Sequence, residues 1–250
     1  MNKQSFSTNK QSFSTNKHFD ISIILPVFNE GENILKQIEE LEKVIKYKHE
    51  IIIVYDFKED DTVPFVKKLQ KKYKFIRLVK NNLGRGVINA VKTGFSKSSG
   101  GAVVVMPADL ADNPQTINKM FQKLEHGFDI VCATRYAKGG KKIGGGFLKT
   151  SLSRLAGLMS PILLGIPTTD IANGFKMYTY RVIKKINIES DGGWEFALEM
   201  VIKAKKMGFK ICDVPSIWKD RELGKSKFKF TKWLPKYMKW YLKGILWRFG

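Results

Sequence analysis

Cysteine is nearly missing from this sequence. Cys132 and Cys212 are the only two, far apart in the chain. They exclude a disulfide framework, fit a reducing, cytosolic setting and read as core residues of apolar strands. Long apolar runs are missing as well. The longest candidate, residues 155–166, falls short of the ~18–20 residues of a membrane span, and it contains Gly157, Pro161 and Gly165. The N-terminus is polar, so no secretory signal is expected. Histidine is scarce. His18, His49 and His126 sit at no metal-binding spacing and read as surface residues, so no Ser-His-Asp arrangement can be built. Acid is also short: 23 Asp and Glu stand against 44 Lys and Arg, a formal net charge of +21. That excess calls for an anionic partner, whether nucleic acid, membrane surface or phosphorylated small molecule, and does not choose among them.

What is present is a globular chain. Of 250 residues, 43% are hydrophobic and 27% charged, enough for an ordinary core. Residues 2–8 (Asn-Lys-Gln-Ser-Phe-Ser-Thr) recur at 9–15. This polar heptad lacks further apolar positions, so residues 1–18 read as a flexible repetitive tail.

From residue 20 the pattern changes. Short β-branched runs at 21–25, 50–55, 75–79 and 102–106 read as buried strands. Between them, residues 32–48, 62–73 and 87–96 carry apolar side chains at helical spacing. Strands alternating with helices predict an α/β fold, a doubly wound, mostly parallel sheet flanked by helices. Beyond these, 129–133, 173–178 and 209–214 read as strands. Residues 147–164 and 195–207 read as helices, and 138–146 as a Gly/Lys-rich loop. No linker interrupts the chain, so residues 19–228 are expected to form one domain.

Ligands of such sheets bind beyond the carboxyl ends of the strands. Acids gather there: Glu30 after the first strand, Asp56 with Glu59, Asp60 and Asp61 after the second, Asp109 and Asp112 after the fourth. Carboxylates brought together repel one another. A hard divalent cation removes that cost and also bridges substrate phosphates. Capping of helix starts is the competing use, above all for Asp61 and Asp112, and it is the favoured one for Glu195.

Several segments, in order, resemble family 2 glycosyltransferases. Ile24-Leu-Pro-Val-Phe-Asn-Glu30 is similar to the family's opening. Asp56-Phe-Lys-Glu-Asp-Asp-Thr62 occupies the place of its base-side aspartate and Asp-x-Thr turn. Asn82-Leu-Gly-Arg-Gly86 resembles its Gly-rich segment, and Pro107-Ala-Asp-Leu-Ala-Asp112 its Asp-x-Asp metal motif. Ala133-Thr-Arg-Tyr136, Asp170-Ile-Ala-Asn-Gly-Phe175 and Arg221-Glu-Leu-Gly-Lys-Ser-Lys227 complete the set. The order and spacing match the polyprenyl-phosphate branch over about residues 19–228.

The resemblance implies a GT-A fold and an inverting transfer of a hexose from a nucleoside-diphosphate sugar to a polyprenyl phosphate or related acceptor. It implies Mg²⁺ or Mn²⁺ as cofactor. Donor contacts would come from Pro26, Phe28, Glu30, Asp56, Gly84, Arg85, Asp109, Arg221, Ser226 and Lys227. Arg135, Lys149 and Asp170 would serve the acceptor, and Asp109, Asp170 and Arg221 the catalysis. Arginine suits phosphate through its planar fork. The first aspartate of the metal motif is Pro107 here, and its usual following Gln is Ala111. Asp112 is then the substitute ligand beside Asp109. A homo-oligomer is compatible with the resemblance.

Residues 229–250 interleave aromatics and lysines and contain no acid. Trp233, Trp240, Tyr241 and Trp247 suit a lipid headgroup region and the lysines suit anionic lipid, with 155–164 as a further docking element. The expected place is therefore the cytoplasm, peripheral on the inner face of the cytoplasmic membrane. The competing use is a helix packed on the domain with its lysines outward. Two other readings stay open. One is a metal-independent or non-catalytic nucleotide-sugar scaffold, motivated by Pro107. The other is an anionic-surface protein that binds nucleic acid, which the acids at the ligand edge disfavour, so no nucleic acid is expected.

Overall fold

A computed structural model of the protein describes residues 18–220 and 230–250. The sheet-forming half runs β1 (Ile21–Pro26), α1 (Asn33–Val44), β2 (His49–Tyr55), α2 (Thr62–Lys72), β3 (Ile76–Lys80), α3 (Val87–Lys97) and β4 (Ala102–Val105). The remainder runs α4 (Thr116–Glu125), β5 (Ile130–Thr134), β6 (Lys141–Ile143), α5 (Phe147–Leu163), β7 (Lys176–Thr179) and α6 (Tyr180–Lys185). It closes with α7 (Phe196–Lys206), β8 (Ile211–Pro215), β9 (Ile217–Lys219) and α8 (Phe230–Phe249).

Seven strands make one sheet in the order β3-β2-β1-β4-β7-β5-β8. All neighbours are parallel except β7, which runs antiparallel to both β4 and β5. The expected mostly parallel, doubly wound sheet is therefore found. Its central strands are covered on both faces, which is why they read as unbroken apolar runs. Alternate residues serve the two layers. Ile24, Ile52, Val54, Val103 and Val105 pack toward α3 and α7. Ile23, Leu25, Ile51, Ile53 and Val104 pack toward α1, α2 and α4. Helix α3 lies so close to β1 that a Cβ on Gly94 would stand 2.5 Å from the Ile24 side chain.

No expectation above covered α4, although Ile117, Met120, Phe121 and Leu124 fill one buried face of it. The short β6 and β9, paired in parallel, were not expected either.

Helix α8 corrects the reading of the carboxyl-terminal aromatics. Trp240 is only 3% exposed and lies in the core beside α7. Lys203 and Lys243 stand 5.1 and 4.6 Å from its ring centre, and Lys206 and Lys243 4.2 and 4.9 Å from that of Trp247. Tyr241 donates to the Ala156 carbonyl (3.0 Å), which ties α8 to α5. Indole rings stack between lysine heads here, because burying so large a ring outweighs leaving it in water. Among the described side chains of α8, the exposed apolar ones are instead Met238, Leu242, Leu246 and Phe249. No helix among the described residues is long and apolar enough to cross a membrane.

Candidate active site

The strand order reverses between β1 and β4, the position where open α/β sheets bind ligands. Two non-glycine residues with left-handed backbone lie in the loops that follow these strands, Asn29 (φ 50°) and Leu110 (φ 60°). Such conformations persist only where the surroundings impose them.

The loop after β1 is held from outside. Asn29, Glu30 and Gly31 donate their backbone N–H groups to Asp60 Oδ2 (3.1 Å), Thr62 Oγ1 (3.0 Å) and Asp61 Oδ1 (2.8 Å). This revises the expectation for the acids after the second strand. Asp60 and Asp61 brace a neighbouring loop, and Asp61 makes no side-chain cap on α2. Asp56 accepts from Asn81 Nδ2 and from the Gly86 amide, both at 2.8 Å. Gly86 has φ 126° at the start of α3, a conformation that suits only glycine. Asp56 therefore holds the Gly84–Arg85–Gly86 turn against β2. Phe28, half exposed, meets Phe57 edge-on at 5.6 Å, and the Arg85 guanidinium stands 4.8 Å from the Phe57 ring centre. Phe57 was not foreseen as part of this wall. Pro26 ends β1.

After β4 the chain presents Asp109 and Asp112. Asp109 Oδ1 accepts from the Ala111 amide (3.2 Å), and the Leu110 amide donates to Gln37 Oε1 (3.3 Å). Asp112 pairs by a β-bridge with Trp218, and Lys219 donates to the Ala111 carbonyl (2.8 Å). Asp112 is thus a strand-edge residue and caps no helix. It is buried, and its Oδ1 has no hydrogen-bond partner among the described residues. Burial first, then the neighbouring Asp109 carboxylate, pushes its pKa up to about 8. No group of three or more His, Cys, Asp or Glu side chains among the described residues could hold a metal ion. A Mg²⁺-like ion needs less, since it is bound through one or two carboxylates with waters and substrate phosphates completing the shell. The orphaned Asp112 oxygen beside Asp109 fits that demand.

The cationic side faces this pair. Arg135, just past β5, grips Asp170 with Nε (2.7 Å) and Nη2 (2.8 Å), and its backbone amide adds a third bond (3.1 Å). Asp170 is fully buried and the Arg135 side chain 12% exposed. Burial alone would lower the Arg135 pKa, and Asp170 more than reverses that, so the guanidinium stays charged. The Asp170 loop is itself pinned. Asp213 accepts from the Thr168 hydroxyl (2.6 Å) and the Thr169 amide (2.7 Å), and the buried Lys176 ammonium donates to the Ile171 and Asn173 carbonyls. Helix α5 crosses this loop at Gly157, where a Cβ would stand 1.9 Å from the Thr169 carbonyl oxygen. Ser153, unforeseen, receives a bond from Arg135 Nη2 (3.3 Å). Lys149 lies on the exposed first turn of α5.

The structure thus brings together Arg135 and Asp170, Asp109 and Asp112, and Asp56 with the Gly84–Gly86 turn. Arg221, Ser226 and Lys227 lie outside the described residues. Glu195 accepts from the Gly192 and Gly193 amides (2.8 and 2.6 Å) and so closes the loop before α7 instead of capping the helix. Two shallow depressions of about 310 and 480 Å³ lie around Phe209 at the opposite edge of the sheet, and no candidate residue lines them.

A family model described as glycosyl transferase family 2 matches residues 22–186. The chain is 29% identical over 229 residues to a dolichol-phosphate mannosyltransferase of Pyrococcus furiosus, covering 88% of this chain and 64% of that protein. It is 26% identical to a polyprenol monophosphomannose synthase of Mycolicibacterium smegmatis, over 90% of this chain and 88% of that one. Among solved structures, glucosyl-3-phosphoglycerate synthase of Mycobacterium tuberculosis, in complex with Mn²⁺, UDP and glucosyl-3-phosphoglycerate, aligns with a TM-score of 0.68. The identity there is 15%, over 98% of this chain and 86% of that one. The shared architecture is the GT-A fold.

Proposed function

The chain belongs to glycosyl transferase family 2, and from that membership we propose that it moves a hexose from a nucleoside-diphosphate sugar to a polyprenyl phosphate, with inversion at the transferred carbon. The observation that carries the proposal is the placement of Asp109 and Asp112 beside the Arg135–Asp170 pair at the switch point. The names of the two curated relatives support a lipid phosphate as acceptor and mannose as the first sugar to test.

In this reading the donor lies along the loops after β1 to β4. Pro26, Phe28, Glu30 and Asp56 face its nucleoside, with Gly84 and Arg85 beside them. Asp109 and Asp112 would hold Mg²⁺ or Mn²⁺, which when bound neutralises charge on the donor's pyrophosphate. Arg221, Ser226 and Lys227 are assigned to that pyrophosphate from the motif alone. Cations fixed where the leaving phosphate gains charge stabilise the transition state more than the ground state. A phosphate acceptor is already anionic, so it needs a cationic seat more than a base. Arg135 and Lys149 supply that seat. Both Asp170 oxygens are taken by Arg135, so Asp170 acts by holding Arg135 in place.

A lipid acceptor also calls for a membrane face. Helix α5 exposes Phe147, Leu148, Leu152, Leu155, Leu158 and Ile162, next to the exposed stripe of α8. Neither helix contains an acid, and Lys149, Arg154, Lys239 and Arg248 are exposed on them. An apolar face framed by cations suits the inner, anionic leaflet, where each basic residue contributes ~1 kcal/mol.

The test is transfer itself. The purified protein with Mn²⁺, radiolabelled GDP- or UDP-hexose and a short polyprenyl phosphate should give a labelled lipid of inverted anomeric configuration. Retained configuration would overturn the inverting mechanism. Absence of transfer from every donor would overturn the enzyme reading.

A further inference from the structure

Lys142 stands on β6 directly across from Trp218 on β9. A lysine on an exposed three-residue strand would ordinarily reach into water. This one folds back. Its ammonium lies 5.0 Å from the Trp218 ring centre and donates to the Gly144 carbonyl (3.2 Å) and the Thr150 hydroxyl on α5. Gly145 wraps it so closely that a Cβ there would stand 2.6 Å from Nζ. The same indole has the Arg135 guanidinium 6.0 Å from its centre. Lys142 is thereby held toward two further cations, and burial first, then Arg135 and Lys149, lower its pKa. Asp220 and then Asp170 work in the opposite direction, each less strongly than burial or either cation, and Asp170 is already gripped by Arg135. Positive charge gathered at this cost points to an anion with more than one negative charge.

We propose that Lys142 is a third cation of the acceptor seat, with Arg135 and Lys149, and that it sets a preference for a phosphomonoester over a phosphodiester. The inference rests on the acceptor reading above. A monoester carries up to a second negative charge and a third free oxygen, and Lys142 is the group placed to meet them. Trp218 fixes the ammonium, and its strand also carries the bridge to Asp112, so one short element sets the distance between the two halves of the site.

The test uses the full chain and two soluble probes below their micellar concentrations, decyl phosphate and its methyl diester, titrated by calorimetry. The native protein should bind the monoester about tenfold more tightly than the diester. Lys142→Gln should lose about that factor for the monoester and leave the diester unchanged. Lys142→Arg should keep the preference, which guards against a loss that only reflects misfolding. If Lys142→Gln weakens both esters equally, or neither, the role assigned to Lys142 is wrong while the acceptor reading stands. If the native protein binds neither ester, both fall together.

Discussion

The Arg135–Asp170 pair allows a sharp test, because its two ends should fail together. Asp170→Ala removes the acceptor of three hydrogen bonds and leaves a nearly buried guanidinium close to Lys142. Arg135→Met leaves a carboxylate that is 0% exposed with one backbone N–H in place of a fork. Stranding one member of a buried ion pair costs ~3–5 kcal/mol. The double variant strands no charge, so its cost should fall below the sum of the singles by ~2–3 kcal/mol. Urea unfolding of the four proteins reads this directly, provided the slope with denaturant stays constant across the set. Additivity within ~0.5 kcal/mol would show that the two side chains do not depend on each other. Asp170→Asn is the companion variant. It keeps the shape and removes the charge, and should weaken decyl phosphate binding through the misplaced Arg135.

Three further outcomes follow from other parts of the molecule. Gly157→Ala should lower stability by ~1–3 kcal/mol in thermal melts by forcing α5 off the Thr169 carbonyl, and should weaken phosphate binding in titrations. Glu50 is buried. Burial alone would raise its pKa, but bonds from Ser22, Ser99 and Arg77 bring it below the usual value of 4.5. The unfolded state therefore binds the proton first. The stability from Glu50 is present above pH 4.5 and is lost as pH falls through the lower folded value. Glu50→Gln should flatten that acid-side slope in melts between pH 3 and 7, about the range spanned by carboxylate titration. Leu242→Ser with Leu246→Ser should cut cosedimentation with anionic vesicles at least tenfold, since each leucine buried is worth ~1.5–3 kcal/mol. Unchanged sedimentation would remove α8 from the membrane face.

The parallel sheet was legible because its strands are buried on both faces and so read as β-branched runs, as in Ile21–Leu25 and Ile51–Val54. The loops after those strands were legible for the same reason, since topology places them at one edge. What those loops do was less visible. Asp60 and Asp61 counted among the acids gathered at the ligand edge, with capping as the competing use of Asp61, yet they satisfy the amides of a strained turn across the sheet edge, a pairing set by tertiary structure. Trp240 suggested a lipid interface, while its burial in the core beside α7 places it inside. Composition cannot say which face of an amphipathic helix turns inward when both faces hold apolar groups. Strands β6 and β9 have three residues each, too few for any periodicity. Lys142 and Trp218 therefore meet without a local signal, apart from the Gly/Lys-rich loop around the first. Ser153 had none, because only the crossing of α5 over the Asp170 loop brings it to Arg135.

In the proposed function, nucleotide and divalent ion meet at Asp109 and Asp112. The most direct measurement is calorimetric titration of GDP, UDP and their hexose conjugates into the native protein and Asp109→Asn, with Mn²⁺ and after chelation. One nucleotide is expected to bind, with chelation weakening it at least tenfold and Asp109→Asn abolishing the difference between the two conditions. Binding of no nucleotide, or binding indifferent both to Mn²⁺ and to Asp109→Asn, would contradict it.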